Sequence, residues 1–555
     1  MHKGSPRWTA NPVKMCYCVD LYPTKPIVSK VLVSDPIDQA GIDILLQVAT
    51  VDVKIGLPPA ELARIIGDYD AIMIRSETRL TKEIIEAATN LKIIGRAGVG
   101  VDNVDVPAAT RRGIVVVNSP EGNTIAAAEH ALAMMLSMSR YIPEANQSMK
   151  SGQWNRKQFV GTEVYKKTLG VVGLGKIGSH VATVAKAMGM KLLAYDPFIS
   201  AERAEQLGCR LVDLDTIFRE SDYITLHIPK TPETTNLINA ETLAKMKPQA
   251  RIINCARGGI IDEAALAIAL RAGTIAGAAI DVFAIEPLGE SDLRSLGKEI
   301  VLTPHLGAST AEAQVNVAID VAEQIRDVLL GLPARSAVNI PGLHPDALQQ
   351  LKPYLQLAET LGNMVSQLAG GRINDLQVCL YGDLAEQQTR PIITAALKGL
   401  LSPALRERVN YVNAGIEAKE RGIHVSETRD ASVRDYAATL KLIAKGSLGQ
   451  HSVTGALLGD AEMRITSVDD FPVNVVPTQN MLFTVHKDVP GIIGIIGSLL
   501  GKFNVNIASM QVGRKIVRGD AVMVLSLDDP LPDGILAEIK QVTGISDAYT
   551  VTLTN

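Results

Sequence analysis

From Lys30 onward, short β-branched runs alternate with stretches of helical spacing. Val31-Leu32-Val33 ends at Ser34-Asp35-Pro36, and a helix is predicted over residues 39–47. Further strand-like runs stand at 71–74, 91–95 and 114–118. Strands alternating with helices predict a parallel sheet covered on both faces. The apolar stretch 126–141, rich in Ala, Leu and Met, predicts a long helix connecting to a second α/β unit. There the alternation restarts at Thr168 and continues to about His305. Residues 311–330 repeat apolar positions at Val317, Val321, Ile325 and Val328, the spacing of an amphipathic helix. Pro333 and Pro341 flank an expected linker.

Beyond it, residues 346–477 mix helices and strands without a recognisable chemical motif. Residues 481–555 give strand, helix, strand, strand, helix, strand, the order of a ferredoxin-like module. The expected fold class is α/β: two doubly wound, Rossmann-like or flavodoxin-like domains, then an α+β domain, then the ferredoxin-like module. The expected boundaries are a tail at 1–29, one domain at 30–126 with 311–336, a second at 127–310, a third at 337–476 and the last at 481–555.

Composition narrows the function classes. A chain of 555 residues exceeds what a single core supports. A net charge of -4 gives no broad attraction to nucleic acid or an anionic membrane, and neither is expected as a partner. Five cysteines in so long a chain argue for a reducing compartment, the cytoplasm, over a disulfide scaffold. Cys16-Tyr17-Cys18 has no second cluster at metal spacing, so no metal site is expected. No apolar run reaches the length of a membrane span. Residues 1–29 lack the apolar core of a secretory signal. Lys3, Arg7 and Lys14 leave an organellar transit segment open beside the simpler alternatives of an extra tail or an early start.

The sharpest local chemistry is Gly173-Leu174-Gly175-Lys176-Ile177-Gly178, between a predicted strand and a predicted helix. Gly173 serves the tight turn, Gly175 the close approach of a pyrophosphate, and Gly178 the packing of helix on strand. Lys176 and Ile177 open the helix whose N-terminus faces the phosphates. The next strand ends at Asp196, where a carboxylate accepts from ribose hydroxyls and repels a 2′-phosphate, so NAD is favoured over NADP.

Three further groups follow strands of the same sheet, whose carboxyl ends form the ligand crevice. Arg257, in Asn254-Cys255-Ala256-Arg257-Gly258-Gly259, offers a planar fork to a carboxylate. His305, in Thr303-Pro304-His305-Leu306-Gly307, suits proton exchange near neutral pH. Glu286, in the stretch opened by Asp281, would hold the imidazole and favour its protonated form. Asp281 is assigned to the cofactor side.

Together these motifs resemble the D-isomer-specific 2-hydroxyacid dehydrogenases, over residues 31–341. The resemblance implies two α/β domains around a cleft, with Arg257 as substrate anchor, Glu286 as orienting acid and His305 as general acid/base. Arg75-Ser76 and Val99-Gly100, in loops after two strands of the first domain, are similar to the substrate loops of the phosphoglycerate dehydrogenase branch. The implied substrate is 3-phosphoglycerate. Val99 and Gly100 would offer backbone N–H groups to its carboxylate. Arg75, with Arg79, Arg96 or Arg140, would hold its phosphate, Arg140 across a dimer. The C-terminal module resembles an ACT domain, which implies an amino-acid effector, serine, at His486, Asp488 and Asn506. The block before it resembles the intervening domain of the long form. The resemblance implies a homodimer or homotetramer. Two alternatives stay open: a glyoxylate or hydroxypyruvate reductase, and a dinucleotide-sensing binding protein like the corepressors that share this fold.

Overall fold

The computed structural model describes residues 29–340, 345–432, 436–459 and 461–553. The expected tail, apart from Ser29, and the Cys16 and Cys18 pair lie outside the described residues.

The first sheet has five parallel strands, Lys30–Val33, Thr50–Val53, Ala71–Ile74, Ile93–Arg96 and Val115–Asn118, in the spatial order second, first, third, fourth, fifth. Thr50–Val53 escapes the hydrophobic pattern because it is an edge strand with no buried residue. Leu32, Ile72, Ile94 and Val116 build the core on one face. Val31, Val33, Met73 and Val117 build the other, against Val317, Val321 and Ile325 of the helix Ala311–Leu329. That helix lies so close that a Cβ on Gly95 would meet Val321 and Ile325 at 2.6 Å.

The stretch expected as a linker extends this sheet instead. Ala337 bridges Val117 antiparallel, and the Val338 N–H donates to Val116 O at 2.7 Å. Asn339 accepts from Val116 N and donates to Ile114 O. Buried strand-edge amides require partners, and this segment supplies them.

The second sheet has seven parallel strands. They run in space from Ile300–Leu302 through Gly277–Ile280, Arg251–Asn254 and Tyr223–Leu226 to Thr168–Val172, then Lys191–Tyr195 and Cys209–Leu211. Strand order reverses beside Thr168–Val172, the switch point at which such sheets open a crevice. The helix Thr124–Arg140 packs Ala128, Met134 and Met138 against Leu169, Val171 and Ile253 of this sheet.

The third sheet has six strands between Ile373 and Val475, covered on one face by the helices Pro345–Ala369 and Thr389–Leu405. The fourth is an antiparallel sheet of four strands in the order Ile507–Arg514, Asp520–Leu527, Asn480–Lys487, Ile545–Thr552. Leu482, Met523 and Leu525 face its helices Ile492–Lys502 and Ile535–Lys540. Phe483, Val522, Val524 and Val551 face the other way, into one core shared with the third sheet. Among the described residues, no helix is long and apolar enough to cross a membrane.

Candidate active site

The glycine loop sits at the switch point, between the strand Thr168–Val172 and the helix Lys176–Ala187. Gly173 has φ +94°, and a Cβ there would lie 2.5 Å from His227 O. A Cβ on Gly178 would lie 2.0 Å from Gly173 O, so helix and strand touch backbone to backbone. Gly175 differs: nothing lies within 4 Å of its Cβ position, which leaves open space over the helix N-terminus. That opening and the free helix end fit a dinucleotide pyrophosphate. Asp196 Oδ2 accepts from Leu174 N at 2.8 Å, tying the acid to the loop it serves. Lys176, beside Ile177 in the first turn, pairs with Glu121 from the crossover out of the first domain.

His305, Glu286 and Arg257 follow three strands of this sheet and meet at its carboxyl edge. His305 Nδ1 lies 2.7 Å from Glu286 Oε2, while Glu286 Oε1 accepts from Phe283 N at 2.9 Å. Burial pushes the Glu286 carboxyl up, but His305 and the Phe283 N–H outweigh it and hold the group below its ordinary value. His305 has φ +56°, in the left-handed region. Asp281 maintains that turn: its backbone oxygen accepts from His305 N at 2.8 Å, and its carboxylate from Leu306 N at 2.7 Å and Gly307 N at 2.9 Å. Thr303 Oγ1 donates to the same carboxylate at 2.6 Å. The Asp281 side chain is fully buried, with His130 Nε2 also 3.2 Å from its Oδ1, so in this structure it holds the loop and does not reach into the cleft as expected of a cofactor-binding group.

Arg257 approaches Gly100 so closely that a Cβ there would stand 2.5 Å from its guanidinium. Its Nε lies 3.4 Å from Asp102 Oδ2, an ion pair across the two domains. Asn254 braces the Arg257 turn by donating to Arg257 O at 3.0 Å and accepting from Ala256 N at 3.1 Å. Arg75 and Ser76 are held by the buried Asp35, which accepts from Arg75 N at 2.5 Å and from the Thr78 N–H and hydroxyl. Asn118 donates to Val99 O at 2.6 Å and fixes the neighbouring loop.

A cleft of about 780 Å³ is lined among others by Arg75, Ser76, Arg96, Glu286, Arg294 and His305, while Arg257, Val99, Gly100 and the glycine loop lie outside its lining. Arg96 is its least expected member. Its Nε is buried without a hydrogen-bond partner. Burial, then the charges of Arg257 and Arg75, push its guanidinium down to about 10. A cation concentrated this way beside two others is a binding site for an anion. The sequence offered it only as one alternative among several arginines. The enabling signal is Gly98, φ +147°, whose absent Cβ would overlap Arg96 Nη1.

Other expected residues stay apart. Arg140 ends the helix Thr124–Arg140, exposed and outside the cleft lining. The helix runs away from the crevice, and its 17 residues carry Arg140 about 25 Å from the crossover at Asn123. Arg79 is exposed and also outside the lining.

The effector trio does not converge within one chain. Lys487 pairs with Asp520 at one end of the fourth sheet, whereas Asn480 pairs with Leu527 at the other. Asp488 therefore sits at the first end, bound to Arg514 Nη1 at 2.8 Å and Arg518 N at 3.0 Å. Asn506 sits at the opposite end, donating to Asp528 Oδ2 at 2.6 Å. His486 is buried in the sheet, and burial lowers its pKa. The intervening helix Ile492–Lys502 spans the sheet and separates the two ends.

Residues 132–307 match the model of the D-isomer specific 2-hydroxyacid dehydrogenase NAD binding domain. Residues 350–469 match the D-3-phosphoglycerate dehydrogenase intervening domain, and 480–544 match the ACT domain. The chain belongs to the D-isomer-specific 2-hydroxyacid dehydrogenase family, in the long branch that carries these two further domains. Within that branch it is 74% identical to the D-3-phosphoglycerate dehydrogenase of Synechocystis sp., over 95% of each chain. It is 46% identical to that of Archaeoglobus fulgidus, over 94% of this chain and 100% of the relative. A solved glyoxylate reductase from Paecilomyes thermophila shares 29% identity at a TM-score of 0.52, covering 98% of itself but 56% of this chain.

Proposed function

We propose that the protein oxidises 3-phosphoglycerate to 3-phosphohydroxypyruvate with NAD, the first step of phosphorylated L-serine synthesis. The observation that carries this substrate is Arg96, a half-buried guanidinium whose Nε has no hydrogen-bond partner, beside Arg75 in the cleft that also holds His305. A phosphate dianion answers that concentration of charge, and glyoxylate or hydroxypyruvate has none to offer. Arg257 takes the substrate carboxylate bidentately, with the N–H groups of Val99 and Gly100 beside it. His305 Nδ1 is engaged by Glu286, so Nε2 accepts the proton of the 2-hydroxyl. Glu286 then stabilises the imidazolium so formed. When bound, NAD supplies the hydride acceptor; Gly175, Lys176 and Ile177 receive its pyrophosphate and Asp196 its ribose.

The working assembly is a dimer or tetramer. Leu136, Ile142, Met149, Trp154 and Val160, all between the last turns of the helix Thr124–Arg140 and the second sheet, expose apolar side chains that a second copy would cover. Arg140 lies exposed at the end of the same helix and reaches the neighbouring cleft in that pairing. An amino-acid effector, serine, binds between two ACT modules, since a two-fold pairing sets the Asp488 end of one beside the Asn506 end of the other. The free thiols Cys209 and Cys379 suit a reducing compartment such as the cytoplasm.

The test is NADH consumption with 3-phosphohydroxypyruvate, with and without serine. Rapid turnover supports the substrate, and suppression by serine supports the effector. Turnover with glyoxylate or hydroxypyruvate alone would overturn the substrate; no turnover with any ketoacid would favour a dinucleotide sensor.

A further inference from the structure

We infer that His130, Cys255 and Asp281 form a site for a borderline-soft divalent ion of the zinc type beneath the catalytic loop, and that filling it switches the enzyme off. One ligand atom from each, an imidazole nitrogen, a thiol sulfur and a carboxylate oxygen, lies within 4.8 Å of the others. They come from three separate places: the helix Thr124–Arg140, the turn after Arg251–Asn254 and the turn after Gly277–Ile280. This mixed nitrogen, sulfur and oxygen set is what zinc accepts in tetrahedral sites, and it discriminates against magnesium and calcium.

A fourth donor is at hand. Thr303 Oγ1 lies 3.2 Å from His130 Nε2 and 2.6 Å from Asp281 Oδ1. The thioether of Met134 stands 3.6 Å from the same hydroxyl, adding a soft neighbour. Charge also balances. A divalent ion, one thiolate and one carboxylate sum to zero, so the filled site buries no net charge. On binding, the Cys255 proton leaves to solvent while His130 ligates in its neutral form.

The consequence for catalysis follows from what else Asp281 holds. Its Oδ1 accepts from Leu306 N at 2.7 Å and its Oδ2 from Gly307 N at 2.9 Å, directly after His305. An ion that claims Oδ1 takes that oxygen from the loop. The left-handed turn at His305 then loses an anchor, and the imidazole leaves its partner Glu286. Inhibition by this route does not compete with the hydroxy acid.

The test uses the full chain stripped of metal with a chelator and titrated with Co²⁺ as a spectroscopic substitute for Zn²⁺. A thiolate-to-cobalt charge-transfer band should grow to one equivalent, disappear on adding Zn²⁺, and track the loss of turnover. In Cys255→Ala the band should vanish, and the Zn²⁺ needed for half-inhibition should rise at least about tenfold, the size of effect typical of a perturbed metal site. His130→Gln, a milder change of shape, should raise it likewise, each variant being judged against its own zinc-free turnover. Absence of the band in the unmodified chain would overturn the site. So would zinc inhibition that is equal in the parent and both variants, which would place the ion at the exposed His305 instead.

Discussion

His305 Nδ1 lies 2.7 Å from Glu286 Oε2, so two loops from adjacent strands are coupled through one hydrogen bond, the pair assigned the proton transfer in the proposed reaction. Glu286→Gln keeps the shape but cannot stabilise the imidazolium, and kcat should fall by about 10²-fold or more, the scale of general acid–base effects. His305→Gln should fall further while NADH affinity, read by fluorescence titration, stays within about twofold, because general-base catalysis acts on the chemical step rather than on cofactor binding. Loss of NADH binding in either variant would mean that the pair builds the cofactor pocket rather than the chemistry.

Arg96→Met separates substrate binding from folding. The side chain is half-buried, its Nε has no hydrogen-bond partner, and burial and two neighbouring cations outweigh the charges of Asp102 and Asp35, so replacing it with an apolar chain of similar length should leave thermal stability unchanged or raise it. The same change should raise KM for the phosphorylated substrate by about 10- to 100-fold, the loss of one or two charge-assisted bonds. Reduced stability with unchanged KM would show instead that Arg96 braces the loop around Gly98.

The parts legible in the sequence are those whose signal is local. A glycine fingerprint between strand and helix, and residues placed just after strands, mark the carboxyl edge of a parallel sheet before any contact is known. Legibility failed where partners are distant or polar. Thr50–Val53 buries nothing and reads as loop. The segment after Pro333 looks like a linker because its bonds go to Val116 and Val117, two hundred residues earlier in the chain. Arg96 stands out from its neighbours only once burial is known. Asp488 and Asn506 are joined in one site only by the resemblance to an ACT domain, and within this chain an intervening helix carries them to opposite ends of a sheet. His130 could not be read at all, since its partners come from two other turns.

Asp196→Ala should relax the cofactor preference. The carboxylate accepts from Leu174 N beside the glycine loop, and in the proposed binding mode it would repel a 2′-phosphate on the ribose. The ratio of kcat/KM for NADH to that for NADPH should shrink at least about tenfold, equivalent to about 1.4 kcal/mol. An unchanged ratio would assign the discrimination to another residue.

At the junction of the third and fourth sheets, His451 Nδ1 lies 2.9 Å from Asp469 Oδ2, and its ring meets Tyr549 edge-on with centroids 5.3 Å apart. Asp547 faces the same imidazole and is itself paired with Lys540 at 2.8 Å. The hydrogen bond to Asp469 raises the His451 pKa above 6.5 against the opposing effect of burial, with Asp469 and Asp547 charge adding to it. A histidine whose folded value is raised contributes its full stabilisation below the unfolded value and loses it as pH climbs through the folded one. The pair should therefore support the junction below about pH 6.5 and progressively less above it. Asp469→Asn should cost about 1 kcal/mol at pH 6, allowing for partial exposure, and close to nothing at about pH 9. Hydrogen exchange of the strand Ile545–Thr552 gives the local measurement, because the shared core joins this strand to the third sheet. A difference between parent and variant that persists unchanged at alkaline pH would show that Asp469 acts through its bond to Ser452 N at 2.7 Å and not through the charge on His451.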